Sequence, residues 1–254
     1  MRDKRSYLLT FLFWLAIDSS LAAEPVQIVT EESYPLSYVQ TINGEDQITG
    51  IATQLIRELM IEAGVEYKLI LLPWARALRK SQTHRNVLIY SIARTRAREQ
   101  EFKWVGEIVK LDYWLYGLNT NSSIGKNLSP QALRSLKVGV VRDDIFHGYL
   151  ESLGFKNLVI LNSGAQHLPL LDRGRVDLFP SNAVGLQPFC TNLDFDCDRL
   201  IPVKRLPEIS TSLYLAFNLA TDDETFRRVV TAYKTIRESG RFAEVMGQLN
   251  QQVR

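Results

Sequence analysis

The sequence is poor in the residues from which reactive centres are most often built. It holds two cysteines and three histidines in 254 residues. His84, His147 and His167 share no ligand spacing that would suit a metal, and all three read as surface residues. No serine or cysteine sits in a nucleophile elbow, and no glycine-rich phosphate loop is present. Asp194, Asp196 and Asp198 alternate around the cysteines but lack the glycine and distal glutamate of a calcium loop. No cofactor or metal is expected, and the chain does not read as an enzyme. A strong charge of one sign is missing as well. The net charge is +2, which argues against nucleic acid or an anionic membrane as the main partner. After Ala23 no apolar run reaches the roughly 20 residues needed to cross a bilayer.

The first residues do carry a signal. Arg2, Lys4 and Arg5 precede an apolar run from Tyr7 to Ile17 and the small-residue stretch Ser19 to Ala23, the pattern of a secretory signal peptide. Residues 1–22 are expected to be that peptide, cleaved near Ala22 or Ala23; a membrane anchor is the alternative. No cysteine lies near the cleavage point to carry a lipid, so the mature protein is expected to be free in the periplasm and monomeric. In that oxidising compartment Cys190 and Cys197 can close a small loop as a disulfide, with free or metal-bound thiols as the rival.

From Val26 onward, short apolar strands alternate with amphipathic helices, the pattern of an α/β protein with mainly parallel sheets. Strands are expected at Val26 to Thr30, Tyr67 to Leu72 and Val87 to Ile92. A helix is expected from Gly50 to Ala63, where Ile51, Leu55, Ile56, Leu59 and Met60 recur on one face, and another from Pro73 to Leu78. The polar segment Asn119 to Gly125 reads as a linker. A second α/β run follows: Ser129-Pro130 opening a helix, strands at Lys137 to Val141, Leu158 to Leu161 and Val176 to Phe179, and helices between them. Thr211 to Phe217 reads as a buried strand. Thr221-Asp-Asp-Glu224 reads as a capping box, and two helices close the chain, parted at Gly240. Two lobes are the natural reading.

The sharpest chemical feature is Arg94-Thr95-Arg96-Ala97-Arg98, directly after a strand. Parallel sheets bind ligands at the carboxyl ends of their strands, and a guanidinium there can hold a carboxylate through two charge-assisted hydrogen bonds. Between Arg76 and Arg98 the chain carries seven Arg or Lys and no Asp or Glu. A ligand with an anionic group is the direct inference; a solvated basic surface is the alternative, and only one or two of the arginines can point inward. Ser91, at the end of the same strand, is counted with this cluster. Tyr34-Pro35 after the first strand and Trp74 with Arg76 after the second can wall the same pocket; core packing explains Trp74 equally well. Glu31 and Glu32 could accept hydrogen bonds from a ligand ammonium.

Tyr34-Pro35, Gly50, Thr95-x-x-Arg98 before Phe102, Ser129-Pro130 with Leu133, Lys137-Val-Gly-Val140 and Gly174-Arg-Val-Asp177 stand in an order that resembles the family 3 extracytoplasmic solute-binding proteins, the polar amino acid binders of ABC importers. The likeness spans the whole mature sequence. It implies a two-lobed, Venus-flytrap architecture with two hinge strands, around Tyr113 to Leu118 and Leu213 to Phe217. Lobe 1 would comprise residues 23–115 and 216–254, and lobe 2 residues 116–215. It further implies that Thr95 and Arg98 hold a ligand carboxylate, that Tyr34 packs on the ligand, and that Glu31 lies near its amino group. On closure Asn182 and the segment Arg142-Asp143-Asp144 would meet the ligand from the second lobe. The chain departs from the family where amino acid binders usually place an aspartate for the α-ammonium: here Asn182 stands. Asp143 or Asp144 could replace that charge or cap a helix. Delivery to ABC importer membrane subunits is the expected role. The alternatives are a cyclohexadienyl dehydratase-like periplasmic enzyme on the same scaffold, with Glu31 or Glu32 as acid, and a ligand-presenting sensory subunit.

Overall fold

The computed structural model describes residues 24–124 and 128–251. The expected signal peptide lies outside these residues. The described chain builds its strands as β1 (Val26–Thr30), β2 (Tyr38–Ile42), β3 (Glu45–Thr49), β4 (Tyr67–Leu71), β5 (Val87–Ala93), β6 (Phe102–Lys110), β7 (Tyr113–Leu118), β8 (Val138–Val141), β9 (Leu158–Leu161), β10 (Leu178–Asn182), β11 (Leu200–Arg205) and β12 (Ser212–Asn218). The helices are α1 (Ile51–Ala63), α2 (Trp74–Thr83), α3 (Pro130–Ser135), α4 (Ile145–Ser152), α5 (His167–Asp172), α6 (Ala183–Asn192), α7 (Asp223–Glu238) and α8 (Arg241–Gln251).

Two five-stranded sheets organise these elements, in the orders β4-β1-β5-β12-β6 and β11-β7-β10-β8-β9. Within each, three strands run parallel and the remaining two pair antiparallel. Each sheet is therefore mixed, where mainly parallel sheets were expected. The chain passes from the first sheet to the second between β6 and β7, at Leu111-Asp112, and returns between β11 and β12, through residues 206–211. The strands expected to be hinges belong wholly to one sheet each. β7 pairs along its length with β10 and β11, and β12 with β5 and β6. The boundaries expected at 115/116 and 215/216 lie within the β7 and β12 ladders. The Thr221 capping box is also replaced: Asp222 is the N-cap of α7, its carboxylate accepting from the Thr225 N–H at 2.8 Å.

The helix α1 shows how the sequence writes this fold. Ile51, Ala52, Leu55, Ile56, Leu59, Met60 and Ala63 are buried on one face, the spacing a helix needs to cover a sheet. Gly64 ends it in the left-handed conformation at φ 59°, and the N–H groups of Gly64 and Val65 return to the Ile61 and Met60 carbonyls, a glycine C-terminal stop. At the other end no side chain caps the helix. Its first N–H groups, of Ile51, Ala52 and Thr53, instead donate to the Pro35 and Leu36 carbonyls at 3.0–3.1 Å. This is what fixes the loop that follows β1, and hence Glu31 and Tyr34. The close approach needs Gly50, which sits at φ 120°; a Cβ there would lie 2.4 Å from the Leu36 carbonyl oxygen.

The cysteines form a disulfide, Cys190–Cys197, with Cα atoms 5.7 Å apart. No helix among the described residues is long and apolar enough to cross a membrane.

Gly50→Ala must adopt a backbone conformation reserved for glycine and push the 33–37 loop off the helix. We expect a loss of about 2 kcal/mol or more in urea unfolding; an unchanged midpoint would show that the α1 N-terminus does not hold the loop.

Candidate functional site

A cavity of ≈ 190 Å³ lies between the two sheets, at the ends of β1, β5, β8 and β10. From the first sheet it is lined by Glu31, Glu32 and Tyr34 after β1, Trp74 at the start of α2, Ser91 on β5 and Arg98 beyond it; from the second come Tyr113, Asp144, Phe146, His167 and Asn182.

Each side chain reaches the cavity for a local reason. β5 and β12 shift register between Tyr214 and Leu215, so Ser91 is left without an opposite partner and adopts φ 60°, a bulge that re-aims a side chain. Its hydroxyl is buried without a hydrogen-bond partner among the described residues. A turn then brings the Arg98 N–H to the Thr95 carbonyl at 3.0 Å and the Thr95 hydroxyl at 3.3 Å. The turn sends Arg98 inward. Its Nη2 donates to the Asp143 carbonyl at 3.1 Å and its Nη1 to that of Ala93 at 3.5 Å, while the guanidinium lies 5.4 Å from the centre of the Trp74 ring. Trp74, only 4% exposed, donates its Nε1–H to the same Asp143 carbonyl at 2.9 Å. Loops from the two sheets are thus joined at one acceptor.

Of the residues singled out in the sequence, Arg98, Tyr34, Glu31, Trp74, Ser91 and Asn182 line the cavity, whereas Thr95, Arg94, Arg76, Arg142 and Asp143 do not. Thr95 is occupied in the turn. Arg94 points the other way, bonding both carboxylate oxygens of Glu99 and lying over the rings of Trp104 and Tyr214 at 5.2 and 5.5 Å. Alternate residues leave a strand on opposite sides, and Arg94 follows the outer one. Arg76 and Arg142 are exposed. Asp143 contributes its carbonyl instead of its carboxylate. The acid that does line the cavity is its neighbour Asp144, which also caps α4 by accepting from the His147 N–H at 2.8 Å. Asn182 caps α6 in the same way, through the Gly185 N–H at 3.0 Å.

His167 corrects the reading of the histidines as surface residues. It is 7% exposed, stacks on Phe179 with ring centroids 5.3 Å apart, and leaves Nε2 without a partner among the described residues. Burial holds its pKa down at about 4, against hydrogen bonding to the Gly139 and Gly164 backbone. It is therefore neutral at physiological pH. Spacing gave no sign of this position, which follows a short turn, Gly164–Gln166, that Ser163 and Gln166 cap.

Electrostatically the cavity is the reverse of what the basic stretch suggested. Three carboxylates, Glu31, Glu32 and Asp144, line it beside one guanidinium. Burial pushes Glu31 up to about 8, and the like charge of Asp144 adds to the shift. Asp144 is pushed up to about 7, again by burial, although the His147 N–H and the Arg98 charge pull the other way. Burial also raises the Tyr113 hydroxyl, with the Glu31 and Asp144 charges next in effect.

No protein-family model and no curated protein matches this chain. Solved structures do. A histidine kinase sensor domain described as similar to periplasmic binding proteins aligns at TM-score 0.76 and 20% identity, covering 89% of this chain and 95% of that one. An amino acid ABC transporter substrate-binding protein, AbpA of Streptococcus pneumoniae, bound to L-arginine, aligns at TM-score 0.75 and 19% identity over 90% of this chain and 95% of its own. The fold is that of the periplasmic binding proteins. An ancestral arginine-binding protein bound to arginine shares this periplasmic-binding-protein fold at TM-score 0.75 and 14% identity, over 89% of this chain and 97% of that one.

The raised Glu31 carboxyl has a consequence for stability. A folded pKa above the unfolded carboxylate value gives a contribution that is present in full below about pH 4, declines as pH rises, and is gone once pH passes about 8. Glu31→Gln should therefore melt higher than the parent near pH 9 and close to it near pH 4. An equal offset at both pH values, read by scanning calorimetry, would contradict the burial of this carboxyl.

Proposed function

We propose that this chain is a periplasmic solute-binding protein. It captures a small carboxylate-bearing ligand, an amino acid or an amino-acid-like molecule, between two lobes and delivers it to the membrane subunits of an ABC importer. The observation that carries this reading is the Arg98 guanidinium in a cavity between two sheets, next to a carbonyl from the opposite side. Lobe 1 is taken as residues 24–111 with 212–251 and lobe 2 as residues 112–211, so that the hinge coincides with the two passages between the sheets. Arg98 holds the ligand carboxylate, with Ser91 adding a hydroxyl; Tyr34 and Trp74 supply ring contact; Asn182 and the start of α4 close from the second lobe. The open form presents Arg98, and the ligand shifts the population toward the closed form because only there do both lobes touch it.

One observation favours a second reading. Burial pushes the cavity-lining Glu31 up to about 8, toward the protonated form required of a general acid. A dehydratase acting on a cyclohexadiene acid would turn over prephenate or arogenate; no turnover with either substrate returns the chain to binding alone. A third role, presenting the ligand to a membrane receptor, draws support from the sensor-domain neighbour, and co-purification with a receptor in place of a permease would favour it.

A thermal-shift screen of the mature protein against amino acids, opines, polyamines and small organic acids should return at least one carboxylate-bearing ligand that raises the melting temperature. For that ligand Arg98→Ala should weaken binding by about tenfold to a hundredfold, the worth of a charge-assisted pair, with the far-ultraviolet spectrum unchanged. Calorimetry giving equal affinities would remove Arg98 from the site.

A further inference from the structure

The cavity wall is divided by chemistry as well as by sheet. Most of its charge stands on the first-sheet side, with Glu31, Glu32 and Arg98. Among the described residues the second-sheet side carries one charged side chain, Asp144. That carboxylate is already engaged: it caps α4 by accepting from the His147 N–H at 2.8 Å, and the Arg98 charge bears on it. Asn182, where amino acid binders usually place an aspartate, brings no charge, and its Oδ1 accepts from the Gly185 N–H at 3.0 Å. His167 is neutral above about pH 4.

What this side offers instead is rings. Four elements contribute one each: Tyr113 from β7, Phe146 from α4, Phe179 from β10 and Phe189 from α6. Tyr113 and Phe146 meet edge to face, with centroids 4.9 Å apart and planes at 79°, and Phe179 stacks on His167. Such pairs attract beyond the area they bury. Phe179 is rooted in a buried cluster with Leu168, Leu171 and Cys190, against which Phe189 packs. A charged ligand group pressed on this side would lose its water without gaining a partner, whereas an apolar ring gains from the same surface by burial and by ring contact. Size agrees with this. A dry cavity of roughly 150 Å³ holds benzene, and at ≈ 190 Å³ this one has room for a single ring with a short acid arm.

We infer that the ligand is an aromatic carboxylate, its acid group on Arg98 and its ring against Phe146, Phe179 and Phe189. The inference rests on the solute-binding reading and narrows it, from carboxylates in general to those that carry one ring. Polar amino acids, whose side chains need partners, fit this wall poorly. Burial shifts Glu31 toward its neutral form, which eases the approach of a ligand carboxylate to Arg98. Phe146 sets specificity, because it stands just beyond the Asp143 carbonyl that meets Arg98 and brings its ring to the same end of the cavity.

Calorimetry on the mature protein near pH 6 tests this with four carboxylates: 3-phenylpropanoate and phenylacetate, which carry a ring, against L-glutamine and L-arginine, which do not. The ring acids should bind at least about tenfold more tightly than the polar pair. Their binding enthalpy, followed over a range of temperature, should show a negative heat-capacity change, the mark of apolar burial. Phe146→Ala, checked for folding by its near-ultraviolet spectrum, should weaken 3-phenylpropanoate by about tenfold. Equal or tighter binding of the polar pair, or a heat-capacity change near zero for the ring acids, would overturn the aromatic seat, and both readings need only the parent protein. A wider screen whose hits all lack a ring would overturn it equally. A screen without any hit would look different, removing the solute-binding reading and this inference with it.

Discussion

The structure turns on a single acceptor, the Asp143 carbonyl, to which Trp74 and Arg98 both donate from the opposite side of the cavity. Asp143 offers it because its backbone is held at φ 60°, a conformation that non-glycine residues adopt rarely and aspartate more readily than most. The two donors are themselves fixed by the first sheet: Trp74 by burial at the start of α2, Arg98 by the Thr95 turn beyond β5. This meeting point ties the loop after β8 to the first sheet across the cavity. Apolar residues of both sheets pack beside it in one cluster that includes Leu36, Leu111, Tyr113 and Leu213.

The consequences for chemistry follow from what closure does to charge. A guanidinium keeps its charge under almost any burial, so Arg98 can serve as a fixed anchor for an anion. Carboxylates do not share this tolerance. Glu31 and Asp144 respond to the same enclosure by shifting toward their neutral forms. The cavity wall therefore carries one charge that persists on burial and two acids whose charge does not. The unpartnered Ser91 hydroxyl and His167 Nε2 add two neutral polar contacts along its wall, of the kind that fix orientation.

Much of this was legible in the residues. The helical stripe from Ile51 to Ala63, the strands at Val26, Val87 and Leu158 and the Ser129 cap appear where periodicity and capping chemistry put them, because local pattern and tertiary burial agree there. The hairpin of β2 and β3 was not legible, since nearly all of it is exposed and it carries no apolar alternation. β6 escaped notice because charged residues interrupt it, and β11 because Pro202 and a bulge break its pattern. For the site, composition located the arginine cluster but could not sort it. Whether Arg94 or Arg98 faces inward is decided by a bulge at Ser91 and a turn at Thr95, and neither is encoded in residue type alone. Asp144 was legible as one of two adjacent aspartates, for the ligand or for a helix cap, and it both caps α4 and lines the cavity; His167 was hidden, because it looks like an isolated histidine until the second sheet is folded around it.

The claim that two lobes close on a ligand is open to direct measurement of distance. Spin labels at the exposed positions Ile61 on α1 and Lys156 before β9, read by pulsed electron resonance, report the separation of the two sheets. The account predicts a broad or two-component distribution in the free protein that collapses to its shorter component when a stabilising ligand is added. A single distance, the same with and without a ligand that raises the melting temperature, would contradict it.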